Sequence, residues 1–142
     1  MAGNKIVMAV ALAIGVMLSG CARDADWPTY GGDGENHWSP IDEINTGNTD
    51  DLGLEWHYDI DTPGTSMTAP VAAEGTLYFA GGQAIVHALD ATTGRLLWQY
   101  DPKVYERAGT EMREAWGSRG MAYANGRVFV GKGGHGHAVV PT

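Results

Sequence analysis

From residue 52 to residue 59 the apolar side chains fall on every second position, Leu52, Leu54, Trp56 and Tyr58. This is the period of a strand with one covered face. Four more short apolar runs follow, at residues 67–73, 76–80, 83–89 and 95–100. Each is bounded by turn residues: Glu74-Gly75, Gly81-Gly82, and the stretch from Asp90 to Gly94. In the last of these an aspartate can accept bonds from its own turn backbone, and a glycine can supply the positive φ that leaves the turn. Together the four runs predict a four-stranded antiparallel unit. His87 lies inside one of them and reads as a satisfied core or edge residue rather than a ligand. Residues 105–113 have the only helical character, enough for a turn or two.

The unit repeats. Trp56-His57-Tyr58-Asp59 returns as Trp98-Gln99-Tyr100-Asp101, 42 residues later, within the ~40–45 residues of a β-propeller blade. Gly75-Thr76-Leu77-Tyr78-Phe79-Ala80 returns as Gly126-Arg127-Val128-Phe129-Val130-Gly131, 51 residues later. The longer spacing predicts an insertion between Pro102 and Ser118. Trp98 stands where a blade places a large flat side chain against its neighbour. On the 51-residue offset Ala88-Leu89-Asp90 should recur at 139–141, where the sequence reads Val139-Val140-Pro141. Residues 131–137 are Gly-rich and expected to lack strand character, and residues 132–142 are read as an aberrant or truncated tail. A closed propeller of 4–8 blades needs roughly 160 to over 300 residues, and the chain has 142.

Charge and cysteine narrow the surroundings. A formal net charge of −8 argues against a nucleic-acid surface. The single cysteine, Cys21, permits no internal disulfide. It follows an apolar run from residue 6 to residue 18 that is too short to span a bilayer and of the size of a secretory leader. Leu18-Ser19-Gly20-Cys21 resembles the bacterial lipobox, which implies that residues 1–20 are removed, that Cys21 takes the lipid, and that residues 21–26 form a tether on the periplasmic side of the cell envelope. A plain signal peptide that happens to contain a cysteine is the alternative.

The eleven residues from Ala88 to Trp98, Ala-x-Asp-x-x-Thr-Gly-x-x-x-Trp, resemble the tryptophan-docking motif of pyrroloquinoline quinone (PQQ) propeller repeats. Upstream, Trp27-Pro28-Thr29-Tyr30-Gly31-Gly32-Asp33, the Ser39-Pro40 turn and the loop Ile44-Asn45-Thr46-Gly47-Asn48 resemble the opening of quinoprotein alcohol dehydrogenases of the methanol/ethanol type. Downstream, Trp116-Gly117-Ser118-Arg119-Gly120 leads into Tyr123-Ala124-Asn125-Gly126-Arg127-Val128-Phe129-Val130-Gly131, as an Arg-Gly pair precedes a strand in that family. The resemblance implies that Arg119 binds the quinone, whose carboxylates and carbonyls suit a planar guanidinium. Two departures stand out. The family's adjacent Cys-Cys pair falls on Arg113-Glu114, leaving the cover over the cofactor to Trp116 by stacking. A cofactor-contacting Glu falls on Met67, leaving that contact absent or supplied by Thr68 or Ser66.

The fold read from the chain is all-β: a partial β-propeller of about two four-stranded blades over residues 27–131, after a lipoprotein signal peptide. The resemblance implies the amino-terminal portion of a PQQ-dependent alcohol dehydrogenase, inactive as it stands. Its intact relatives pass electrons from an alcohol to PQQ held by calcium and then to a cytochrome-type acceptor. In the family the catalytic base and most calcium ligands come from later blades, so no catalytic residue and no metal ligand is assigned here. Asp59 and Asp61 read as solvated turn acids, and His135 and His137 would give a metal only two ligands. The alternative is a non-catalytic propeller lipoprotein that serves as an envelope assembly scaffold, a family that shares the lipobox and the docking motif.

Overall fold

The computed structural model describes residues 26–32, 36–62, 68–104, 106, 120–132 and 135–141. Seven strands form two antiparallel sheets in simple up-and-down order. The first holds β1 (Val71–Ala73), β2 (Thr76–Ala80), β3 (Val86–Asp90) and β4 (Leu96–Tyr100). The second holds β5 (Met121–Ala124), β6 (Arg127–Lys132) and β7 (His135–Pro141).

The 51-residue repeat holds in the backbone through the first hairpin of each sheet. The β1–β2 and β5–β6 hairpins turn through Glu74-Gly75 and Asn125-Gly126, with φ of 52° and 74° in one and 51° and 69° in the other. Two consecutive positive φ values match the right-handed twist of the flanking strands, which explains the short loops and Gly at each second position. Leu77 faces Leu89 across β2–β3, and Val128 faces Val140 across β6–β7. Thr76 faces Asp90, and Arg127 faces Pro141.

Several sequence expectations are corrected. Residues 135–137, expected to lack strand character, belong to β7, which keeps the register of β3 from Arg127 to Phe129 and then shifts by one residue between Phe129 and Gly131. The β-branched Val139 and Val140 favour extended backbone, and β6 offers them an unpaired edge. The second sheet therefore has three strands among the described residues rather than four. Residues 52–59, expected as a strand, join no ladder; alternation prepares a segment for one covered face without supplying a neighbour to bond. The run expected at 67–73 pairs only from Val71, because Pro70 has no N–H to donate. The run expected at 83–89 pairs from Val86. Before it, Gly82–Ala84 forms a 3-10 turn in which Gln83 and Ala84 have φ of 58° and 60°. The short helix expected at 105–113 and the insertion lie largely outside the described residues.

The sheets stack as layers. Val71, Tyr78, Ala88 and Trp98 share one face of the first sheet by register. With Ala73, Ala80 and Val86 they pack on Met121, Val128 and Val130 of the second sheet, which form one cluster with them. Tyr78 stacks on Tyr123 at 5.6 Å and 19°, and its ring lies 5.9 Å from that of Trp98. The other face of the first sheet, Leu77, Phe79, His87 and Leu89, lies under residues 56–62. The opening segment stitches the two sheets together. Trp27 exchanges both backbone bonds with Ala72 of β1, and the Pro28 carbonyl accepts from the Tyr123 amide of β5 at 2.7 Å. Thus β1 and β5, the first strands of the two sheets, lie side by side.

Candidate functional site

The turn after β3 is built as its residue types require. The Asp90 carboxylate accepts from the Thr92 amide at 3.1 Å, the Thr93 amide at 2.8 Å and the Thr93 hydroxyl at 2.9 Å. These bonds stabilise the charged form, so the hydrogen bond from the Thr93 backbone above all holds the carboxyl below the usual aspartate range. Gly94 follows at φ +69°.

Trp56 sits on this turn. Its indole N–H donates to the Ala91 carbonyl at 3.2 Å, and its ring covers Gly94 so closely that an added Cβ would lie 2.5 Å from it. Glycine is therefore required here twice over, for its positive φ and for the approach of the ring. The docking tryptophan comes from the segment 35 residues before the turn, and the motif's own Trp98 faces the second sheet. Trp56 and Trp98 thus mark successive layers, as the 42-residue repeat implied.

Between this segment and the first sheet runs a groove of about 280 Å³ lined by Trp56, Tyr58, Ile60, Thr68, Pro70, Leu77, Phe79 and Leu89. No charged side chain lines it. At its side lies His87, 1% exposed and the sole buried polar or charged side chain among the described residues. It stacks on Phe79 at 4.8 Å and 3° and meets the edge of Tyr58 at 5.9 Å. The expectation of a core position holds, but the ring is not fully satisfied, because its buried Nδ1 has no hydrogen-bond partner. Its stack with Phe79 had no signal in the sequence, because it depends on the β2–β3 register that sets the two residues opposite each other.

The opening loops are also built locally. The Trp27 indole N–H donates to the Tyr30 carbonyl at 3.3 Å, and Thr29 Oγ1 donates to the Gly32 carbonyl at 2.7 Å. Tyr30 and His37 meet edge to face at 5.2 Å. In the Asn-bearing loop, the Asn45 side chain accepts from the Gly47 amide, and that of Asn48 accepts from the Asn45 amide, each at 2.9 Å. These side chains are occupied in holding turns.

Of the residues assigned from sequence, Arg119, Trp116 and Cys21 lie outside the described residues. Arg119 precedes by two positions Met121, the first residue of β5. The described residues do not fit the cofactors that the family resemblance implies. No three His, Cys, Asp or Glu side chains come together among them, whereas calcium takes six to eight oxygens. The groove offers aromatic and aliphatic walls but no cation for a tricarboxylate. Asp59 and Asp61 are exposed, in keeping with solvated acids. No helix among the described residues is long and apolar enough to cross a membrane.

Comparison with known proteins agrees with the layered sheets. Residues 27–135 match the family described as glucose/ethanol/alcohol dehydrogenase, β-propeller domain (PQQ). The chain is 43% identical over 107 residues to the dehydrogenase subunit of the alcohol dehydrogenase (quinone) of Gluconobacter oxydans, covering 75% of this chain and 14% of that one. It is 35% identical over 111 residues to the 1-butanol dehydrogenase (cytochrome c) of Thauera butanivorans, covering 78% and 16%. The crystal structure of quinohemoprotein alcohol dehydrogenase from Comamonas testosteroni superposes with a TM-score of 0.67 at 36% identity, over 80% of this chain and 17% of that one. The chain thus spans about a sixth of the length of the relatives it matches. Matched over most of its length and layered as those relatives are, it belongs to the PQQ-dependent alcohol dehydrogenase family and carries part of its β-propeller domain.

Proposed function

We propose that this chain supplies the first blades of a PQQ-dependent alcohol dehydrogenase, which oxidises an alcohol and passes the electrons through PQQ to a cytochrome-type acceptor. By itself the chain is inactive. The observation that carries the reading is the pairing of equivalent sheets at a 51-residue offset, with β1 and β5 side by side and Trp56 docked on the turn after β3. In such an enzyme the redox chemistry belongs to the cofactor, and the protein supplies position and charge. Arg119, two residues before β5, is the contact to the quinone, and Trp116 stacks over it. Calcium is held by residues outside those described. Cys21 carries the lipid that anchors the protein at the periplasmic side of the envelope.

Titration of the purified chain with PQQ in the presence of calcium, read by tryptophan fluorescence, tests this. Saturable binding that Arg119→Gln weakens at least about tenfold is expected, the loss of one charge-assisted contact, with no alcohol-dependent dye reduction. Absence of saturable binding in a folded sample removes the cofactor role of Arg119 and favours the scaffold reading. Alcohol oxidation by the chain alone overturns its inactivity.

A further inference from the structure

We propose that His87 makes the docking of residues 56–62 on the first sheet dependent on pH: the neutral imidazole holds the segment down, and protonation releases it.

Three contacts tie the segment to the sheet beside His87. The Tyr58 ring meets both His87 and Phe79, at 5.9 and 6.1 Å. Thr62 Oγ1 accepts from the Gly82 amide at 3.2 Å. Thr62, Ile60 and the His87 ring converge on Gly81, where an added Cβ would lie 2.5, 3.2 and 3.2 Å from them. The imidazole is therefore part of the surface on which the segment rests.

That surface suits only the uncharged ring. His87 Nδ1 is buried and has no hydrogen-bond partner, which the neutral tautomer tolerates as a bare acceptor. The imidazolium must donate from both nitrogens, and here one donor would face no acceptor, at the cost of a buried unpaired charge. No charged group faces the ring to offset this. The segment presents Tyr58, β2 presents Phe79, and β4 places neutral Gln99 opposite in register. Asp59 and Asp61 are exposed. Burial accordingly lowers the pKa of His87 below 6.5, against which a backbone hydrogen bond at Ile85 acts in the other direction.

The route to water is set by the layers. One face of the first sheet is covered by a whole second sheet, and the face that carries His87 is covered by one extended segment without ladder bonds. Lifting that segment hydrates the ring at the smallest loss of contacts. Because the histidine pKa is depressed in the docked state, docking is complete above about pH 6.5 and weakens as pH falls from there toward the lowered value. Opening can rise by up to about tenfold per pH unit in that window.

The test follows the 142-residue chain from pH 7.5 to 5.0. The His87 ring is titrated by NMR, and amide exchange of Gly82 and of residues 56–62 is measured with correction for intrinsic rates. A His87 midpoint below 6.5 is expected, together with an increase of about five- to tenfold in segment opening on acidification. His87→Phe should abolish the increase. His57→Gln, which removes the exposed histidine of the same segment, should leave it intact. A His87 midpoint at or above 6.5, opening that does not change with pH, or an unchanged pH dependence in His87→Phe overturns the proposal. If His87→Phe does not fold, the wild-type midpoint and the His57→Gln profile decide: loss of the effect in His57→Gln assigns it to the wrong histidine.

Discussion

The first sheet is covered on both faces, by residues 56–62 on one side and by the second sheet on the other, and the two covers differ in kind. Where sheet meets sheet, Val71, Ala80, Val86 and Ala88 are 0% exposed and aromatic rings stack across the joint. Where the single segment meets the sheet, Trp56 and Tyr58 stay half-buried and Leu54 is 82% exposed. Under the segment His87 and Leu89 are still 1% exposed, whereas Leu77 and Phe79 stay half-buried. A full sheet brings a second row of side chains into contact, whereas one extended chain brings every other residue and leaves a groove. The segment compensates with point contacts, the Trp56 indole on Gly94 and the Thr62 hydroxyl on the Gly82 amide.

The sharpest way to break this comparison is at Gly94. Gly94→Ala should destabilise the chain by about 2–3 kcal/mol in denaturant melts, combining a strained positive φ with displacement of the Trp56 ring. Gly75→Ala has the same kind of φ, +74°, with nothing within 4 Å of the added methyl, and should cost only about 1 kcal/mol. Equal costs at the two positions would mean that Trp56 contributes nothing to the first sheet. The smaller, coupled effect is read in a double-mutant cycle: in a Trp56→Ala background, Gly94→Ala should fall to the cost of Gly75→Ala, a coupling of about 1–2 kcal/mol. The smallest effect is at Asp90, whose carboxyl is held below the usual range in the folded chain. Its contribution is present above the unfolded aspartate pKa of about 3.9 and is lost as pH falls through the folded value. Asp90→Asn should therefore flatten the acid limb of a stability profile below about pH 4. Pro141, at the matching position of the second sheet, has no carboxylate and adds nothing to that limb.

Much of the fold was legible because it is local. The turn at Glu74-Gly75, the aspartate-organised turn at 90–94, and the short alternating runs between them follow from residue types a few positions apart, whereas Asn125-Gly126, expected inside a strand over 123–131, is the turn between β5 and β6. The core assignment of His87 followed from its apolar neighbours. The candidate cofactor contacts at 116 and 119 were legible only through family resemblance and lie outside the described residues. Strand ends were misjudged where backbone chemistry overrides side-chain pattern, at Pro70 and at the 3-10 turn before Val86. Residues 135–137 pair despite their glycine content because β6 offers an open edge.

By itself, then, the amino-acid order determined which pieces turn, which pieces extend, and at what interval the unit recurs, since those depend on torsional preference and on the two-residue period of a strand. Tertiary structure alone decided that residues 52–60 remain without a ladder, that Trp56 rather than Trp98 rests on the turn at 90–94, and that His87 lies stacked on Phe79 with one nitrogen unsatisfied. Each of these depends on which distant backbone lies alongside, and a chain's own alternation is the same whether a neighbour is present or not.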